Sequence, residues 1–326
     1  MKQIDLQLKE FVPVLPIWTG HSQTLLGHLI PSDPVHGSTE KHILKLSDSD
    51  ELLLEYINNK SKFTLSIFHG LGGDGQSDYM RRTANLALAL GWNIVLVHHR
   101  LAHPEARAER SYHSGRGDDA EAVLLWARQI FKDSTQVAVG FSMSGSILLN
   151  LLTKRYGSHQ PDFAICVNAP LKLDQAGTLL TKGFSKIYDI RFYLLLKKLI
   201  NSQHDVELPF WGRTIDIDRL YTAQKNGFKD SQDYYDQCST WPYVGRIQTP
   251  TFILTSQDDP FVDFESYQTA KWPECVHQTW SEFGGHMGYV SRRSDLTYGI
   301  RWLDYYLSTV FLKIQNDLMV VKHQAE

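Results

Sequence analysis

Cysteine is scarce in this chain. Cys166, Cys238 and Cys275 are an odd number, lie far apart and form no CxxC pair. That excludes a disulfide framework and a zinc knuckle, so the expected state is three reduced thiols, with Cys166 buried in a strand. Basic charge is not in excess either: 33 Lys and Arg against 36 Asp and Glu leave a net charge of -3. With no basic field to hold a phosphate backbone, nucleic acid is not an expected partner. Long apolar runs are missing too. The densest, residues 192–200, is interrupted by Lys197 and Lys198, whereas a spanning helix needs roughly 18 uninterrupted apolar residues. Residues 1–10 place Lys2, Asp5, Lys9 and Glu10 ahead of any apolar run, which is not the layout of a signal peptide. The expectation is a soluble, cytoplasmic protein. Repeats, low-complexity tracts and Gly/Ser linkers are also lacking, which argues for one folding unit over residues 1–326 rather than tethered domains.

What is present is core-forming material: 42% apolar and 12% aromatic residues in 326 positions, enough to fill a large interior. From residue 42 to 170, β-rich runs alternate with helical patterns. Strands are expected at 42–46, 52–57, 63–68, 93–98, 136–140 and 163–167, with helices at 77–90 and 118–131 between them. The second helix opens on Asp118 and Asp119, suited to a positive helix N-terminus, and the first ends at Gly91. This alternation predicts an α/β fold with a mostly parallel, doubly wound sheet. From about residue 170 to 248 the pattern turns helical and rich in aromatics, which reads as an inserted helical cap. Strands return at 251–255 and 276–280, and residues 292–311 are expected to close the chain as an amphipathic helix.

The residues suited to chemistry lie at strand ends. Gly140-Phe141-Ser142-Met143-Ser144-Gly145 follows one strand and opens a helical run. A serine on a sharp strand-to-helix turn is thrown clear of the sheet, with small residues two positions to either side allowing close approach. Ser144 stands where a second glycine is usual. Ser142 is thus the candidate nucleophile. His69-Gly70-Leu71-Gly72-Gly73 follows the strand at 63–68; a glycine-rich loop there supplies one oxyanion N–H and the residue after the nucleophile the other, so Leu71 and Met143 are the expected donors. Asp258-Asp259-Pro260-Phe261-Val262 follows the strand at 251–255, and Gly284-Gly285-His286-Met287-Gly288 follows that at 276–280. Chain order Ser, Asp, His agrees with this arrangement. A serine hydroxyl needs a neighbouring base, here His286, and the base needs a carboxylate to hold its tautomer. Asp259 is preferred for that place; Asp258, in the same turn, remains the alternative.

These pieces resemble the YheT-like α/β hydrolases, a family allied to abhydrolase-domain lipases and yeast medium-chain acyl esterases. The resemblance rests on Gly20-His21-Ser22-Gln23-Thr24, the His69–Gly73 loop, Arg100, Tyr112-His113-Ser114-Gly115, Gly227-Phe228, Asp233-Tyr234-Tyr235, Ser239, Ile247, Pro250 and Asp258-Asp259-Pro260, and so covers most of the chain. It departs from the family pattern at Ser144, usually glycine, and at Leu101-Ala102, usually glycine-cysteine. The resemblance implies the α/β-hydrolase fold and hydrolysis of carboxylic esters with acyl chains through an acyl-enzyme, with no cofactor. An acyltransferase or thioesterase would use the same three residues. A non-catalytic acyl-binding module is a further alternative, though one expected to lack a member of the triad. A metal enzyme is the remaining rival, from His98, His99, His103 and His113; adjacent strand residues point to opposite faces and no HExxH surrounds them, so no metal is expected. The run Phe192-Tyr193-Leu194-Leu195-Leu196 would line an acyl tunnel or form the cap's own core, and Lys197 and Lys198 after it are candidates for contact with a lipid surface.

Overall fold

The computed structural model describes residues 6–295 and 298–323. A helix α1 (Gly20–Leu29) precedes strands β1 (Glu40–Lys45), β2 (Glu51–Ile57) and β3 (Phe63–Phe68). Then come α2 (Asp78–Ala89), β4 (Asn93–His98), α3 (Gly117–Ile130), β5 (Thr135–Phe141), α4 (Met143–Leu152) and β6 (Phe163–Val167). Between β6 and β7 (Thr251–Ser256) lie α5 (Leu173–Leu180), α6 (Ser185–Gln203), α7 (Thr214–Ile217), a π-helical turn Asp218–Thr222, α8 (Ala223–Lys225) and α9 (Ser231–Cys238). The chain continues through α10 (Phe264–Thr269), β8 (Val276–Ser281), β9 (Val290–Asp295), β10 (Gly299–Arg301) and α11 (Trp302–His323).

Among the described residues, eight strands form one sheet in the order β1-β2-β4-β3-β5-β6-β7-β8. β2 pairs antiparallel with β1 and β4, and the pairs from β4 to β8 are parallel. Every residue of β3, β4 and β7 is buried, as a parallel sheet covered on both faces requires. On one face α3 and α4 pack Val123, Leu124, Ile147, Leu148 and Leu151 against Leu52, Phe68, Val95 and Val97. On the other, α2 and α11 pack Met80, Ala84, Leu303, Leu307, Val310 and Phe311 against Leu65, Ile67, Leu96 and Val139. The expected doubly wound architecture is the one observed. No described helix is long and apolar enough to cross a membrane.

The expected helix at 292–311 is corrected. Residues 290–295 and 299–301 pair as a hairpin and the helix starts only at Trp302; positions 296–297 lie outside the described residues. The cause is local and tertiary together. Gly299 takes φ +60°, which interrupts a helix, and the Arg292 N–H donates to Val12 O at 2.7 Å. Arg301 is drawn to the C-terminal end of α1, donating to Gly27 O at 3.4 Å and, just past the helix, to Ile30 O at 2.5 Å and Pro31 O at 3.1 Å, a cationic cap for a helix C-terminus.

Candidate active site

Ser142 sits between β5 and α4 with φ +53° and ψ -122°, a strained backbone for a side-chain-bearing residue. The turn closes because its neighbours are small. A Cβ on Gly140 would stand 2.4 Å from Ser144 O, and one on Gly145 would stand 2.6 Å from the Ala169 Cβ.

The Ser142 hydroxyl lies 2.8 Å from Nε2 of His286, whose Nδ1 lies 2.8 Å from Asp259 Oδ2. His286 rides a turn in which Gly284 and Gly285 have φ +143° and +57°. Its ring meets Phe261 edge-on at 4.7 Å. Asp259 is buried and fully engaged: Oδ1 accepts from the N–H groups of Phe261 at 2.8 Å and Val262 at 3.2 Å, and Oδ2 also accepts from Asn168 Nδ2 at 2.6 Å. Asp258 points elsewhere, its Oδ1 accepting from Gly285 N at 2.8 Å; burial raises its carboxyl above the ordinary value. Of the two aspartates, the one in contact with His286 is therefore Asp259.

Leu71 and Met143 flank the serine. Gly70 backs onto Ser142, where an added Cβ would come within 3.1 Å of the serine Cβ. Among the described residues the N–H groups of Leu71 and Met143 find no acceptor, so both are free to donate to a bound oxygen. The loop is pinned from behind by the Gly70 N–H on Tyr79 Oη at 2.9 Å and the Gly72 N–H on Tyr112 Oη at 2.7 Å.

No family model matches the chain. It is 32% identical over 312 residues to YheT of Escherichia coli (strain K12), named as a candidate esterase, a match covering 90% of this chain and 91% of that protein. The chain belongs to the YheT-like family of α/β hydrolases. Phospholipase ABHD3 of Homo sapiens is 24% identical over 307 residues, covering 86% of this chain and 73% of its own. Among solved structures, the Pyrococcus furiosus esterase PF2001 superposes with a TM-score of 0.53 at 17% identity, covering 79% of this chain and 90% of that one, which shows the α/β-hydrolase fold.

The N-terminal family motif packs against the loops of His286 and Asp259. Thr24 Oγ1 accepts from the His286 N–H at 2.8 Å, and Gln23 accepts from the Val290 N–H at 2.7 Å while donating to Val290 O at 3.1 Å. A Cβ on Gly20 would lie 1.8 Å from Asp258 O. Asn168, at φ +48°, bridges Asp259 and Gly285 O. The family arginine, Arg100, is buried and donates two hydrogen bonds to Asp119, at 2.7 and 2.6 Å, and one to Asp48 at 2.8 Å.

Both departures from the family pattern have a structural counterpart. Ser144 donates to the His69 carbonyl and lies 2.8 Å from His99 Nε2. Leu101 takes φ +66°, where glycine is unstrained, and buries its side chain with Tyr193, Leu196 and Ile217. The four histidines considered for a metal are dispersed in their contacts: His98 meets Glu55 at 2.9 Å, His99 meets Ser144, His103 packs on the ring of His98, and His113 adjoins Cys238.

Two cavities meet at Ser142 and His286. One, of about 110 Å³, runs under α5 to α7 between Leu173, Ala176, Leu180, Phe192, Ile215 and Tyr235. The other, of about 490 Å³, opens past Thr24, Leu25, Gly72, Ile187, Arg191 and Leu195. Asp218 borders the first; burial pushes its carboxyl up to about 6, and Tyr235 Oη donates to it at 2.8 Å. The run at 192–196 divides between the two roles considered for it: Phe192 and Leu195 face the cavities, Tyr193 and Leu196 are packed in a helical core, and Leu194 is exposed.

Proposed function

We propose that this chain is a carboxylic ester hydrolase that passes through an acyl-enzyme on Ser142, with residues from about 170 to 248 acting as a cap inserted into a single domain spanning residues 1–326. The observation that carries the reading is the unbroken line of 2.8 Å contacts from Ser142 through His286 to Asp259, in a chain whose relatives are named as a candidate esterase and a phospholipase.

In this reading His286 takes the serine proton as Oγ attacks the ester carbonyl, and Asp259 holds the tautomer and stabilises the imidazolium. The N–H groups of Leu71 and Met143 receive the oxyanion, a donor of this kind contributing about 3 kcal/mol to the transition state. His286 then protonates the leaving alcohol. Water, activated by the same base, releases the acid and frees the serine. The acyl chain takes the apolar cavity bounded by Leu173, Leu180 and Phe192, and the alcohol takes the wider one.

A series of p-nitrophenyl esters from acetate to palmitate tests this. Chains longer than acetate should be cleaved with higher kcat/KM, because the first cavity is lined mostly by apolar side chains. Absence of hydrolysis across the whole series would contradict the ester-hydrolase reading.

A further inference from the structure

The outer face of α6 carries apolar side chains that no other described element covers. Ile187, Ile190 and Leu194 are exposed, Ile187 by 57% and Leu194 by 47%, and their spacing sets them in one stripe. Two neighbours widen it. On one flank α1 brings Leu29, 72% exposed, the helices being joined where Arg191 donates to His28 Nε2 at 2.8 Å. On the other flank the loop after α6 presents Phe210 and Trp211, 79% and 71% exposed, with ring centroids 5.3 Å apart. That loop is tethered to α6 by Lys197 Nζ, 2.8 Å from Pro209 O. Ile187 and Arg191 also line the wider cavity, so the patch borders the opening that leads to Ser142.

Charge narrows the choice of partner. Lys186, Arg191 and Lys198 are exposed on α6, and Lys182 just before it. The helix's single acid, Asp189, is buried against Arg213 and the Thr214 N–H; Asp205 and Glu207 lie beyond its C-terminal end. An isologous contact with a second copy would set these cations against each other. An apolar stripe bordered by cations matches an anionic lipid surface, where aromatic and aliphatic side chains enter the acyl boundary and amines meet the headgroups.

We propose that this face, α6 with the end of α1 and the Phe210-Trp211 loop, docks on an anionic lipid surface and turns the wider cavity toward it. The contact stands on the surface itself; its use, delivering lipid esters to Ser142, rests on the ester-hydrolase reading. Co-sedimentation of the full chain with vesicles of phosphatidylcholine alone, and of phosphatidylcholine with phosphatidylglycerol, tests it. Binding to the anionic vesicles should exceed that to the neutral ones and weaken with salt. Phe210→Ser with Trp211→Ser, and separately Lys186→Glu with Lys198→Glu, should each lower partition by about tenfold or more, with hydrolysis of soluble p-nitrophenyl butyrate unchanged. No partition of the unaltered chain, or variants that partition as it does, would overturn the proposal. So would a dimer in gel filtration that Phe210→Ser with Trp211→Ser dissociates, since a second copy would then cover the patch. Vesicle binding without soluble-ester hydrolysis would instead sustain the docking face and remove only the ester-hydrolase reading.

Discussion

The Ser144 hydroxyl lies 2.8 Å from Nε2 of His99 while donating its own proton to the His69 carbonyl. With that proton spent, Nε2–H of His99 is the donor, and the ring is neutral: burial and the neighbouring His69 hold it well below its ordinary value. His69 in turn accepts the His99 N–H at Nε2 and donates from Nδ1 to Gly70 O at 2.8 Å. Gly70 O and the Leu71 N–H point opposite ways across a trans peptide, so this buried chain orients one of the proposed oxyanion donors. In the proposed mechanism Ser144 thus acts as a positioning residue.

Ser144→Gly restores the residue usual in the family but leaves His69 O and His99 Nε2 unpaired in the interior. The expected cost is about 1–3 kcal/mol for the buried groups, read as a fall of a few degrees in Tm. In kinetics, kcat for p-nitrophenyl butyrate should drop with KM nearly unchanged, the pattern of a loosened transition-state contact. An unaltered kcat would show that the loop keeps its place without the hydroxyl.

Asp259→Asn should lower kcat by orders of magnitude while leaving KM close to the original, since an amide cannot hold the reactive histidine tautomer. Asp258→Asn should act more mildly, through the Gly285 N–H it receives. Steady-state kinetics of the two variants side by side decides between them. The reverse ranking would move the triad carboxylate by one residue.

Much of the candidate site was legible in the chain because parallel strands buried on both faces read as apolar runs, and Ser142, Asp259 and His286 lie one, three and five positions past the ends of β5, β7 and β8. Boundaries of β3, β4 and β6 were met at both ends. Other parts had no local signal. Thr24 acts on His286 across 262 positions and Asn168 on Asp259 across 91, relationships that only the folded chain creates. Leu101 in a left-handed conformation is a poor local choice, and the hydrophobic cluster that holds it comes from helices about a hundred residues on. Residues 292–295 and 299–301 carried a helical rhythm, yet the hairpin between them, tied to the N-terminal segment by the Arg292 N–H on Val12 O, prevailed there.

Asp218 makes the stability of the fold depend on pH. Burial raises its carboxyl from 3.8 to about 6, so the folded chain holds this proton more tightly than the unfolded one. The fold bears no cost from the group below the unfolded value, and the cost grows as pH rises through about 6. Because the residue is partly exposed to the cavity, the effect is discounted to about 1–2 kcal/mol. Asp218→Asn keeps an acceptor for Tyr235 and removes the ionisation. Thermal unfolding should give equal midpoints for variant and parent near pH 4 and a higher midpoint for the variant near pH 8; a difference independent of pH would contradict the assignment.

Labelling with a fluorophosphonate probe reports whether Ser142 is the nucleophile. The unaltered chain should be labelled, with the adduct on the peptide carrying Ser142. In Ser142→Ala both the label and hydrolysis of p-nitrophenyl butyrate should vanish, while Tm stays within a few degrees because the hydroxyl bears no structural load beyond His286. Labelling that persists in Ser142→Ala, or an adduct mapped to another serine, would show that Ser142 is not the nucleophile.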